Sequence, residues 1–380
     1  MENNKETETI RIKTITCHDV YNYGASLQSF ALMKYLQTLG HAVEIIDYKP
    51  DYMVYNLWAI GERWKRNPLL RVLFYAYVIP RRLLLKKRRR KFDQFTREFL
   101  HLTSCKYRSN EEMKSDPPFA DLFFAGSDQI WNTAHHNGKD PSFFLDFAPD
   151  KCIRASYAAS FSIKRIPDEF REFVKSKLNR FDAISVRETS GLEILDSLEI
   201  KGGQVVMDPV FLLKKNVWND LIKSTPRGRF IIIYDQENNP DIRKVAKIIA
   251  AQKECRIYAF ESLYPMFYAD KRIIGAGPIE FLTLIKNCEV CLTNSFHATA
   301  FSLIFEKEFL TFRRMHEKVN SRMEDLLDML NLRERIFEKE TKINQLQAIN
   351  YNKVLSNIDG RVLKSKAYLQ SVIRMIDKFK

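Results

Sequence analysis

Short apolar runs alternate along this chain with longer stretches in which apolar residues recur every three to four positions, the rhythm of strands and helices taking turns. Residues 10–16 read as a strand, 25–39 as a helix closed by Gly40, and 42–48 as a second strand. That opening is a βαβ unit, and a parallel sheet is implied. The rhythm breaks between 51 and about 99. It resumes with strands at 121–125, 152–157, 183–186 and 204–207 and an amphipathic helix at 168–180. Pro226 and Gly228 punctuate a boundary at 210–227. A second set follows: strand 230–234, helix 241–252, strand 256–260, helix 278–287 and a strand ending near Leu292. From 320 onward the chain is helical and charged, with 363–379 placed to pack back across the boundary. The expected fold class is α/β, with two Rossmann-like domains facing a cleft. Residues 1–215 form the first domain, with a basic helical insert at about 51–99, and residues 216–380 form the second, with a helical C-terminus.

Size agrees with this division, because 380 residues exceed one ordinary hydrophobic core. A hydrophobic content of 45% excludes disorder over most of the length. Charge changes the picture only locally. Of the net +14, residues 61–92 hold +11, twelve Lys or Arg against Glu62 alone, so the remainder is nearly balanced. The apolar run 72–79 is far shorter than the roughly 20 residues of a bilayer span. With Trp58, Trp64 and the basic run 81–91, the segment instead suits the headgroup region of a membrane, where each clustered cation contributes on the order of 1 kcal/mol. The plainer alternative is a helical pair with a solvated basic face. No nucleic-acid module accompanies the patch, so no nucleic-acid partner is expected. Six scattered cysteines point to a reduced, cytoplasmic setting, with peripheral contact at the inner face of the membrane. Cys288 and Cys291 read as small buried side chains, and His135 and His136 as surface residues; neither pair has a second ligand pair at metal spacing, and no metal is expected.

Three polar stretches follow strand ends, and loops at the carboxyl edge of a doubly wound sheet are where ligands bind. The first holds Asn22, Tyr23 and Gly24, residues that also suit a tight turn and a helix cap. The second is Gly126 to Asn132. The third, Cys291 to Leu303, places His297 near a helix start, where unpaired backbone N–H groups favour an anion. A capped helix with a hydrogen-bonded histidine explains the same pattern.

Six segments in order resemble the polysaccharide pyruvyl transferase family: Tyr21-Asn22-Tyr23-Gly24-Ala25-Ser26-Leu27-Gln28, Gly126-Ser127-Asp128-Gln129-Ile130-Trp131-Asn132, Ser156-Tyr157-Ala158-Ala159-Ser160-Phe161, Ile184-Ser185-Val186-Arg187-Glu188, Asp208-Pro209-Val210-Phe211-Leu212-Leu213, and Thr293 to Leu303. Members usually carry glycine after the histidine, where this chain has Ala298. The resemblance covers about residues 10–335 and implies a fold like that of GT-B glycosyltransferases. It also implies transfer of pyruvate from phosphoenolpyruvate, a donor substrate rather than a cofactor, to two hydroxyls of a sugar as a cyclic ketal. The expected acceptor is a glycan of a cell-surface polysaccharide precursor; the basic insert favours a lipid-linked one, and a nucleotide-linked one stays open.

That chemistry wants a proton donor to the vinyl carbon, an acceptor for the hydroxyl proton and fixed cations for phosphate and carboxylate. Histidine is the residue type suited to proton transfer near neutral pH, which makes His297 the leading acid/base candidate. Asp128 would orient or deprotonate the sugar hydroxyl, and Arg187 would hold the anion unless an ion pair with Glu188 or another acid occupies it. The expected substrate-binding set is Asn22, Tyr23, Gly24, Ser127, Gln129, Trp131, Asn294, Ser295, Ala298 and Thr299. Trp131 is either a sugar-stacking platform or core, Asn294 and Ser295 are phosphate donors or caps, and Arg313, Arg314 and Lys318 are supplementary cations or a solvated turn. Two other functions fit the composition: a nucleotide-sugar glycosyltransferase of GT-B-like fold, and a non-catalytic basic protein associated with membrane or RNA.

Overall fold

The computed structural model describes residues 9–54, 67–261, 265–315 and 320–379; Trp58, Trp64, Lys318 and the start of the basic segment lie outside them. Two five-stranded sheets organise the chain. In the first, β1 (Arg11–Ile15), β2 (Ala42–Tyr48), β3 (Leu102–Tyr107), β4 (Leu122–Ala125) and β5 (Ile153–Ser156) stand in the order β3-β2-β1-β4-β5, every pair parallel. A two-stranded ribbon, β6 (Ser185–Val186) and β7 (Gln204–Val205), extends it through bridges such as Ala155–Ala183. The second sheet repeats the order with β8 (Phe230–Tyr234), β9 (Arg256–Phe260), β10 (Lys271–Ile273), β11 (Val290–Thr293) and β12 (Glu308–Thr311), as β10-β9-β8-β11-β12, again all parallel.

Period-two alternation assigns each strand's two faces to different cores. Ile12, Leu122, Phe124, Ile232 and Cys291 point into a core shared by both domains, whereas Ile15, Phe123 and Ala125 serve a separate core of the first domain and Ile231, Ile233 and Leu292 one of the second. The helices α1 (Tyr23–Thr38), α9 (Pro278–Asn287) and α10 (Phe296–Ile304) carry the shared core between the sheets. Tyr23 locks it: its ring stacks on Phe281 with centroids 4.5 Å apart and its hydroxyl donates to the Ala276 carbonyl at 3.1 Å. Cys288 and Cys291 are buried within this packing.

Between β2 and β3 run two helices, α2 (Pro68–Leu84) and α3 (Lys86–Phe99). Phe92 and Phe95 seat α3 in the shared core. Arg81 pairs with Glu261 at 2.8 Å and Lys91 with Glu280, so part of the basic insert is an electrostatic clamp onto the second domain. Only Val78 of α2 is buried; Leu69, Val72, Leu73, Tyr77, Leu83 and Leu84 are exposed. No described helix is long and apolar enough to cross a membrane. The other helices that precede the C-terminal one are α4 (Asn110–Ser115), α5 (Asp168–Leu178), α6 (Thr189–Ser197), α7 (Lys215–Asp220), α8 (Pro240–Lys253) and α11 (Ser321–Met329), of which α7 and α11 send Trp218, Leu326 and Leu327 into the shared core. The 23-residue α12 (Tyr351–Ile373) returns to the first domain, where Tyr368 donates to the Ser156 carbonyl at 2.9 Å and Ser365 accepts the Met207 N–H.

Candidate active site

In each sheet the strand order reverses once, between β1 and β4 and between β8 and β11. Ligands of open α/β sheets bind outside the carboxyl ends of strands at such a point. Here the loops leaving β1, β4, β8 and β11 meet from opposite domains around one polar cavity of about 110 Å³, lined among others by Asn22, Asp128, Gln129, Gln236, Asn294, Ser295, His297, Arg314 and Arg322. A second cavity, of about 310 Å³, adjoins it and shares Asn22, Gln236 and Arg314, with Tyr23, Arg88, Tyr234 and Phe260 as further wall.

Two helix N-termini flank the inner cavity. Asn22 caps α1 by accepting from Ala25 N–H at 3.3 Å, and the first turn of α10 begins at Phe296 without any side-chain cap on Ser295. Uncapped first-turn N–H groups carry partial positive charge and favour an anion. Gly24, on the first turn of α1, meets His297, on the first turn of α10: a Cβ at residue 24 would lie 1.9 Å from the imidazole Nδ1. The other ring nitrogen, Nε2, faces Asp208 Oδ2 at 3.5 Å, longer than a normal hydrogen bond but within ion-pair range.

Asp208 is the hub of the charged cluster. Its Oδ2 also accepts from Arg187 Nη1 at 2.6 Å and from the Ser127 hydroxyl at 3.3 Å, while Oδ1 takes the Val210 N–H. Burial pushes its carboxyl up, but His297 and Arg187 outweigh that and hold it well below the usual carboxylate range. Asp128 stands 3.5 Å from both Arg187 and Arg322; burial again opposes ionisation, and Arg187, His297 and Arg322 together keep its carboxyl low. Burial, with the repulsion of Arg187, lowers the Arg322 guanidinium to about 10. Both guanidiniums lie over the Phe296 ring, at 4.7 and 5.9 Å. Asp128 adopts a left-handed backbone (φ 73°), which an L-residue adopts at a cost of about 1–3 kcal/mol, and the carbonyl of this residue accepts from Ile130 and Ser160 N–H to hold it there.

Of the residues expected from sequence, Asn22, Asp128, Gln129, Asn294, Ser295 and His297 line the inner cavity and Tyr23 the adjoining one. The rest of the catalytic and substrate-binding set stands behind it. Arg187, expected to hold the anion, is drawn onto Asp208 and lines neither cavity, because two opposite charges buried together pair with each other; its Nε and Nη2 remain without a hydrogen bond. Glu188, its other suggested partner, instead accepts from Ser160 and Ser162. Trp131 is wholly buried, stacked on Phe144 and donating to the Phe143 carbonyl, so it is core and not a sugar platform. Ser127, Ala298 and Thr299 are likewise fully buried; Thr299 bonds to Ser295 O and Thr311. Asn294 is held by Asp235 and by the Gln236 N–H, which ties the β11 loop to the β8 loop. Arg313 pairs with Glu324 and Glu338, away from the site, whereas Arg314 lines both cavities with its guanidinium against Glu237 and Gln236. Two central residues were not picked out from sequence. Asp208 stood in the fifth of the resembling segments but was given no role at the site, and Arg322, on a charged helix, carried no signal at all.

A paired Rossmann fold with a charged site at the facing switch points defines a protein of the GT-B class. Solved structures agree with the fold: a putative UDP-N-acetylglucosamine 2-epimerase from Listeria monocytogenes (TM-score 0.53, 10% identity, 95% of this chain and 89% of that one); the UDP-N-acetylglucosamine 2-epimerase from Rickettsia bellii (0.50, 12%, 97% and 98%); and another UDP-N-acetylglucosamine 2-epimerase (0.54, 11%, 96% and 95%). No curated protein matches the chain at a significant level. The polysaccharide pyruvyl transferase family model matches residues 22–316, most of the chain, and the protein belongs to that family.

Proposed function

We propose that the protein transfers the pyruvyl group of phosphoenolpyruvate to two hydroxyls of a sugar in a cell-surface polysaccharide precursor, as a cyclic ketal. The observation that carries this reading is the inner cavity, where Arg322, His297 and two helix N-termini converge within a chain of this family. Phosphoenolpyruvate offers a phosphate and a carboxylate, which suit Arg322 and the uncapped N–H groups of α10. Asp128, kept ionised, accepts a hydrogen bond from the attacking sugar hydroxyl. His297 delivers a proton to the CH₂ terminus while that hydroxyl adds to the neighbouring carbon, and Asp208 holds the imidazole through Nε2. The carbon–oxygen bond to phosphate then breaks and the second hydroxyl closes the ring. One hydroxyl proton replaces the proton taken from His297, and the other leaves with the phosphate as hydrogen phosphate.

The acceptor is read as lipid-linked and the protein as peripheral on the inner face of the membrane, with the exposed apolar residues of α2 and the nearby cations Arg71, Lys86 and Arg90 touching anionic lipid. The test is incubation with phosphoenolpyruvate and a panel of lipid-linked and nucleotide-linked sugars, following phosphate release and the mass of the acceptor. Acceptor-dependent phosphate release with a pyruvyl ketal on the sugar is the expected result. Release of a nucleoside diphosphate instead would identify a glycosyltransferase, and silence across the panel would sink the proposal.

A further inference from the structure

The outer cavity owes part of its wall to the insert. Arg88, on α3, places its guanidinium 4.9 Å from the centre of the Tyr23 ring and 5.4 Å from that of Phe92, and Nη2 donates to the Tyr21 carbonyl at 3.0 Å. Its Nε is buried without a hydrogen-bond partner, and no carboxylate pairs with it among the described residues. The other charges at this cavity are compensated. Glu261 is neutralised by Arg81 at 2.8 Å and Arg272 at 3.6 Å, and Arg314 by Glu237 at 3.0 Å. Burial raises the Asp235 carboxyl above its ordinary value, and it already accepts from Glu237 N–H, Asn239 N–H and Asn294. Arg88 is therefore an uncompensated cation, oriented by an aromatic ring, at the wall of a cavity that opens into the site through Asn22, Gln236 and Arg314.

We infer that the outer cavity binds the phosphate-bearing part of the acceptor, a sugar carrying a diphosphate, with Arg88 as the residue that reads the phosphate. The inference rests on the pyruvyl-transfer reading for the word acceptor, but the diphosphate site stands on the cavity and Arg88. The sugar ring then lies at the junction of the two cavities beside Asp128 and His297, and its diphosphate lies outward at Arg88. A guanidinium suits this task because its fixed fork of N–H donors matches phosphate oxygens and its flat face packs on an aromatic ring. At about 310 Å³ the cavity is at the low end of small-molecule sites. A lipid carrier and a nucleotide both present this diphosphate chemistry.

The test is calorimetric titration of inorganic pyrophosphate, farnesyl diphosphate and UDP onto the whole protein, with and without saturating phosphoenolpyruvate. Each arm is repeated on Arg88→Gln and Arg88→Lys, with thermal unfolding to verify the fold. Expected is diphosphate binding that persists when phosphoenolpyruvate fills the inner cavity, falls roughly ten- to a hundredfold in Arg88→Gln and recovers in part in Arg88→Lys. Tighter binding of farnesyl diphosphate than of pyrophosphate would assign the source to a lipid carrier, and tighter binding of UDP to a nucleotide. Loss of diphosphate binding on adding phosphoenolpyruvate, or equal affinity in Arg88→Gln, overturns the inference. Failure of phosphoenolpyruvate to bind strikes the proposed function instead, and leaves the Arg88 dependence readable.

Discussion

Gly24 and His297 interlock across the domain boundary: the first turn of one helix leaves room for the imidazole on the first turn of another only because residue 24 has no side chain. The backbone of Gly24 is ordinary helix, so the position demands glycine for space and not for conformation. Alanine there would favour helix by about 0.5–1 kcal/mol in isolation. Gly24→Ala is therefore expected to keep its circular dichroism and lose about 10²-fold or more in kcat/KM, because a shift of about 1 Å in a reacting group costs that much. Wild-type turnover in this variant would remove His297 from the mechanism.

His297→Gln keeps a polar side chain of similar reach without an imidazole. Removal of a general acid lowers kcat by about 10²–10⁴-fold. Phosphoenolpyruvate affinity, measured by calorimetry on the same variant, is expected to change by less than about tenfold. A collapse of affinity with kcat barely altered at saturation would make the histidine a phosphate ligand instead of a proton donor.

Asp208 ties the charged cluster to acid stability. Its carboxyl, pushed up by burial yet held well below the ordinary range by His297 and Arg187, stabilises the fold fully above the unfolded value of about 3.9 and loses that contribution as pH falls towards the folded value. Urea unfolding between pH 7 and pH 3 should show stability dropping below about pH 4, with a shallower drop in Asp208→Asn. At pH 7 the variant should lose about 3–5 kcal/mol, because the buried Arg187 exchanges its short carboxylate contact for the longer one with Asp128. A pH profile identical to the wild type would rule Asp208 out as the acid-sensitive group.

The exposed face of α2 makes its own prediction. Leu69→Ser, Val72→Ser and Leu73→Ser combined remove apolar area without touching the ion pairs at Arg81 and Lys91. Sedimentation with vesicles rich in phosphatidylglycerol should fall several-fold while the melting temperature stays within about 2 °C, as surface changes usually do. Undiminished sedimentation would show that the face serves something other than lipid.

Much of the architecture was legible in residue order because its causes are local. The strands at 42–48, 230–234 and 256–260 and the helix at 278–287 were placed to the residue, since buried apolar runs and capped amphipathic stretches write their period directly into the chain. The edge strands β3, β10 and β12 went unread. An edge strand is covered on fewer sides, and Leu102–Tyr107 and Lys271–Ile273 accordingly carry polar and charged residues that break the pattern.

The site divides along the same line. Sequence alone determined the α/β class, the two Rossmann-like halves, the polar loops at the strand ends and the position of His297 on the first turn of a helix, all consequences of neighbours in the chain. Only the tertiary structure decided that Asp208, 89 positions before His297, would face its Nε2, that Arg187 would turn to Asp208 while Arg322 took the cavity wall, and that Arg88 would leave the basic run to stand beside Tyr23. A charge spaced along a helix looks the same whether it ends in solvent or against a buried carboxylate. Its partner is chosen by packing between elements distant in sequence, and burial then turns that choice into the electrostatics of the site.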